Sequence, residues 1–286
     1  MTNAIALSSQ NLTHPSSATA QTKTYLNRCV EDLSADKVTR FEKKATRWKI
    51  AFVVSTVAFI ALAIGAFIAT SLLAVAYMPV AGLSAILLAM MAAPQIQKLK
   101  ERSQDATDEA VKYKRIQHHY ADLTRQTPEQ LQHLLAQMGI TGNQGNLTRL
   151  TPLLARAKYL EERTQYWTGL RDKDVNDATA AEQPKKNTLC YNALQNEDQA
   201  LFAKILNAFT NAVLRNPDFK GSLADVATLS KNNYYDSILS NALGDPSSNT
   251  VLTFKKGNLS PLSFNDVKTM DVPQLGQRIF TAMTAT

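Results

Sequence analysis

The chain has 286 residues, a net charge of +7 and 45% hydrophobic residues, which is room for one soluble domain beside a membrane segment. Almost all of the excess positive charge lies in two short clusters, not in a basic stripe interleaved with aromatics, so nucleic acid is excluded as the expected partner. Cys29 and Cys190 both lie in parts expected to face a reducing cytoplasm, so a structural disulfide is not expected.

Residues 1–22 contain no Lys, Arg, Asp or Glu and are rich in Ser, Thr, Asn, Gln and Ala, as in SSQNLTHPSSATAQT. Such a segment buries too little apolar surface to offset the entropy of ordering, so 1–23 is expected to be disordered. Its composition also suits an uncleaved export signal of the type III kind. Residues 24–49 read as a basic juxtamembrane helix.

From Ile50 to Gln97 no residue is charged, and Ala, Ile, Leu, Val, Phe and Met dominate. As one helix this stretch would extend roughly 70 Å, against a bilayer core about 30 Å thick. It therefore predicts a two-helix transmembrane hairpin over 50–97. The first span runs from Ile50 to about Ser71, and the second from about Ala74 to Ala93. The turn falls at Ser71 or at Tyr77-Met78-Pro79, and Pro94 closes the second span. A core helix of a soluble protein would carry a polar stripe, and neither span has one. A cleaved signal peptide is not expected, since the apolar run starts too far along and is too long.

The basic residues flank this run. Arg40, Lys43, Lys44, Arg47 and Lys49 precede it with Glu42 as the only acid among them, and Lys98, Lys100 and Arg102 follow it with Glu101. Lys and Arg resist translocation, so both flanks, and with them both termini, are expected on the cytosolic side. There they face a lipid bilayer with anionic headgroups. Trp48 and Tyr77 are expected interface anchors on opposite sides. Ser55, Ala58, Ala61, Gly65 and Ala69 recur at helical spacing. Such a small-residue stripe packs the hairpin against itself or joins copies in a homo-oligomer.

Residues 98–286 read as a helical cytosolic domain, so the fold class is mainly α with one small β-hairpin. Helix continues to about Thr124, with Tyr113, Ile116, Tyr120 and Leu123 as a short heptad seam. Thr127 and Pro128 open a helix as N-cap and first helical residue; Leu131, Leu134, Leu135 and Met138 form its apolar face, and Gly139 ends it. Further helices are predicted at about 148–170, 196–214, 222–243 and 265–282. Residues 171–188 read as a linker, and 251–264 as a β-hairpin around Lys256-Gly257-Asn258.

No catalytic signature emerges, and neither a cofactor nor a metal is expected. His118 and His119 are adjacent on a helix and point about 100° apart, which does not suit joint metal ligation. Gly139, Gly142 and Gly145 follow no strand and precede no Lys-Ser or Lys-Thr, so they read as a helix-connecting loop. The spans contain no ionisable group, which disfavours ion-coupled transport.

The uncharged N-terminus SSQNLTHPSSATAQT, the Ile50–Gln97 hairpin, the basic flanks and the helical tail together resemble the chlamydial inclusion membrane (Inc) proteins. The resemblance is architectural and covers residues 1 to about 103. It implies secretion into the membrane of the bacterium's vacuole, both termini in host cytosol, and recruitment of a host protein by the helical domain. With no catalytic signature in the sequence, an enzyme is not expected. The short helices of the tail depart from members with long coiled coils and favour a compact binding module. An oligomerising two-span effector that permeabilises membranes is the alternative reading.

Overall fold

The computed structural model describes residues 23–72, 78–141, 147–180, 183–229 and 250–285, with side chains described outside 66–91 and 179–187. The described chain is mainly helical, in two compact units. One unit is Asp32–Gln117; the other joins Met1–Glu31 to His118–Thr286.

Asp32–Gln117 is built from two long helices, α2 (Ala35–Leu72) and most of α3 (Met78–Thr124). At 38 and 47 residues they extend about 57 Å and about 70 Å. Their facing positions repeat at alternating steps of three and four. On α2 these are Val38, Phe41, Ala45, Trp48, Phe52, Ser55 and Phe59; on α3 they are Ala92, Ile96, Leu99, Ser103, Ala106, Ala110 and Tyr113. All are buried or half-buried. This is the heptad pattern of an antiparallel pair. Phe41 stacks on Tyr113 at 5.3 Å, and the Arg102 guanidinium lies 5.1 Å from the centre of the Trp48 ring. The small side chains of Ala45, Ala106 and Ala110 are buried along the same seam.

The basic flank and the start of the apolar run are thus one unbroken helix. The helix expected over 24–49 is instead interrupted at Leu33-Ser34, whose carbonyls accept from Gln117 Nε2 at 3.1 and 3.2 Å. Pro94 does not end its helix: α3 runs on through it, with seam residues on both sides offsetting the one lost backbone bond. Among the described residues, one helical segment, Ala35–Gly65, is long and apolar enough to cross a membrane. The second predicted span lies mostly on side chains outside the described ones, and both proposed turn positions border 73–77, which are also outside. Helix resumes at Met78, with Pro79 in the first turn.

The other unit has α5 (Leu147–Ala180) and α6 (Gln183–Arg215) as its centre, an antiparallel pair. Leu153, Leu154 and Ala157 of α5 and Ile205, Ala208, Phe209 and Val213 of α6 are almost fully buried. α4 (Pro128–Gln137) is capped as expected: Thr127 Oγ1 accepts from Gln130 N, and Gln130 Oε1 returns the bond to Thr127 N. Gly139, at φ +70°, closes it. α1 (Tyr25–Asp32) docks on α6. Tyr25 meets Phe209 edge-on at 5.1 Å and shares a hydrogen bond with Thr210 Oγ1 at 3.1 Å.

The predicted linker at 171–188 is mostly helix. α5 continues to Ala180 because Arg171 pairs with Glu197 at 3.6 Å, Asp174 accepts from Asn196, and Ala178 is buried. Of the helix expected over 222–243, the described residues form one turn, α7 (Leu223–Val226), and then strand β1 (Ala227–Leu229); 230–249 lie outside the described residues. The expected hairpin is present as β2 (Thr250–Phe254) and β3 (Leu262–Ser263), around Gly257 and Asn258 at φ +84° and +46°. β1 joins it antiparallel, Ala227 opposite Phe254, giving the order β1-β2-β3. The expected last helix is two. α8 (Phe264–Thr269) is capped by Ser263, and α9 (Val272–Thr284) is capped by Asp271, with Pro273 in its first turn. α9 packs on α6 where Gly276 meets the Ala208 carbonyl.

Candidate membrane interface

The first half of α2 sorts its charges by helix geometry. Arg40, Lys43, Lys44 and Arg47 fall at i, i+3, i+4 and i+7, within an arc of about 100°. All four are exposed. Lys49 points about 180° from Arg40, on the other side of the helix. The basic face lines an open groove of about 740 Å³ along α2, together with Asp36, Thr39, Trp48 and Ala51. Glu42 does not line it.

On α3 the flanking cations are exposed as well, and they divide. Lys98 and Lys100 point outward on different sides, while Arg102 lies over the Trp48 ring and ties the two helices together. Below them α3 carries Glu101, Asp105, Asp108 and Glu109. Desolvation raises the Asp105 carboxyl above the usual aspartate range; Asp108, Glu101 and Glu109 add to the rise, and Lys44 opposes it. Sequence reasoning counted Glu101 and missed this acidic run, although its spacing was there to read.

Above the cations α2 is apolar and open. Ile50, Val53, Val54, Val57, Ile60, Leu62 and Ile64 are 50–67% exposed. Only Ala51, Phe52, Ser55, Thr56 and Phe59 are half-buried along that stretch, and from Ile60 to Gly65 every residue is exposed. Of the predicted small-residue stripe, Ser55 is half-buried, while Ala58, Ala61 and Gly65 are exposed, with nothing within 4 Å of a Cβ built on Gly65. Ala69 lies among the side chains outside the described ones.

His118 faces Asp122 at 3.3 Å and His119 faces Glu162 at 3.0 Å, on separate partners as their adjacency predicts. No group of three or more potential metal ligands occurs among the described residues. Cys29 is buried and Cys190 exposed, and neither is in a disulfide. Lys204 is partly desolvated, which lowers its pKa, and it donates to the Lys268 carbonyl at 2.9 Å. On the outer side of α5, Arg163 lies 4.9 Å from the Tyr166 ring and 4.7 Å from the Trp167 ring. Tyr166 is half exposed.

Comparison with protein-family models, curated proteins and solved structures returned no match.

Proposed function

We propose that this protein is a membrane-anchored interaction module, held by a two-helix hairpin over 50–97, with its helical unit displayed on the side of the basic flanks. The observation that carries this reading is the exposed apolar half of α2. Seven large aliphatic side chains between Ile50 and Ile64 are each at least half exposed. Fully burying one such side chain is worth about 1.5–3 kcal/mol, and in water roughly half of that is forfeited at every one. Hydrocarbon recovers it. The cations directly below are where anionic headgroups lie, and basic flanks at both ends of the run support two spans with both termini cytosolic.

The architectural resemblance to the Inc proteins extends the reading to the vacuole membrane of an intracellular bacterium, with a host protein as partner. The role is binding rather than catalysis. Arg163, Tyr166 and Trp167 support it, since Arg, Tyr and Trp are the residues on which protein interfaces most depend. The test uses the full chain in membranes, incubated with host cytosol. A partner recovered with the wild type should be lost, by about tenfold or more, with Tyr166→Ala/Trp167→Ala. Unchanged recovery would place the binding surface elsewhere. No partner at all, alongside ion leakage from vesicles, would favour the permeabilising reading.

A further inference from the structure

The groove on α2 has no role in anchoring that bulk charge alone requires, and its shape asks for something more particular. We infer that the Arg40–Arg47 face binds a phospholipid headgroup that carries its own phosphate monoesters, of the phosphorylated inositol class. The inference rests on the anchor reading above.

Three observations carry it. The first is clustering. Four cations share one exposed face, and Lys49, close by in sequence, does not. The second is charge balance. Elsewhere in this helix pair Lys37 is matched by Asp32 and Lys112 by Glu109. Among the described residues no carboxylate lies within ion-pair distance of Arg40, Lys43, Lys44 or Arg47, and Asp36 is the one acid lining their groove. Lys44 feels Asp105 only from further off.

The third is depth. Ala51 continues the same face to the edge of the apolar run, and Trp48 of the seam lines the groove beside it; Trp is a residue of the membrane–water boundary. The headgroup layer on each side of a bilayer is roughly 5–8 Å thick. Arg47 sits at the level of an ordinary diester phosphate. Arg40 lies about 10 Å further out along the helix. A serine or glycerol headgroup does not project that far. A phosphorylated inositol ring does, and it offers dianionic oxygens to a Lys/Arg cluster. The four cations thus form a ladder that one long polyanionic headgroup can climb.

The test uses the detergent-solubilised full chain carrying Trp167→Phe, so that Trp48 is the sole tryptophan reporter. Dioctanoyl phosphatidylinositol bisphosphate, dioctanoyl phosphatidylserine and soluble inositol trisphosphate are titrated separately. The bisphosphate lipid should saturate the Trp48 signal and bind at least about tenfold more tightly than the serine lipid and the soluble headgroup. Arg40→Gln alone, the outermost position, should weaken the bisphosphate lipid by about fivefold and leave the serine lipid unchanged. Lys98→Gln/Lys100→Gln should weaken both lipids alike and leave the preference for the bisphosphate unchanged. Equal affinity for the two lipids, or an equal loss of that preference on the α3 substitutions, overturns the assignment. Equal affinity for the soluble headgroup overturns the membrane source. Alkaline extraction of the same chain from vesicles separates the two readings: a chain that stays in the pellet without headgroup preference defeats this inference and leaves the anchor standing.

Discussion

At single residues, the helical unit depends on contacts that leave no room for change. A Cβ on Gly276 would lie 3.1 Å from both the Ala208 carbonyl and Asn211 Oδ1. Gly276→Ala therefore requires a small shift of α9 from the Ala208 carbonyl and should cost about 1–3 kcal/mol. Thermal unfolding of the full chain in detergent should show this as a lower Tm; an unchanged Tm would mean that the two helices do not meet there. Asp105 offers the opposite sign. Its carboxyl is raised by desolvation first and by the neighbouring acids second. A raised folded pKa penalises the charged form, so the penalty is present above that pKa and disappears as pH falls below the ordinary aspartate range. Asp105→Asn should thus be more stable than the parent at neutral pH, with the gain shrinking toward acid. A parent that is the more stable at neutral pH would contradict the sign.

At the level of elements, what was legible in the sequence was what local chemistry decides. Thr127-Pro128 with Gln130 is a self-contained capping box, and α4 starts there. Thr127→Ala removes one half of it and should cost about 0.5–2 kcal/mol, read as a lower Tm in the same assay; no loss would mean that packing alone holds α4. The hairpin around Gly257-Asn258 was equally local. What was illegible came from distant partners. Residues 171–180 are mostly polar, with only Val175, Ala178 and Ala180 apolar, and they stay helical because α6 supplies Glu197 and Asn196. β1 follows α7 because β2 pairs with it across the sheet. Asp271-Val272-Pro273 was a readable start signal, an N-cap with proline in the first turn, and it divides what the apolar pattern joined into one helix. The basic flanks were plain as composition. Only the turn of the helix separates the Arg40 face from Lys49, and only the pairing of α2 with α3 sets Arg102 on Trp48.

At the scale of the whole chain there are two units, one of them a stalk of two long helices. The stalk's seam continues from Val38 to Phe59 on α2, and from Ala92 to Tyr113 on α3, without a change of spacing. One heptad register thus serves both the polar and the apolar parts of α2, which suits a rigid helix pair passing from headgroup level into hydrocarbon. Its central claim is topological: two spans, with both charged flanks and both termini on one side. The measurement that tests it most directly is protease protection of the full chain, inserted in vesicles and tagged at each end. The account predicts that external protease removes both tags and leaves a protected fragment containing Ile50–Gln97. Protection of either tag would mean a single crossing and would contradict it.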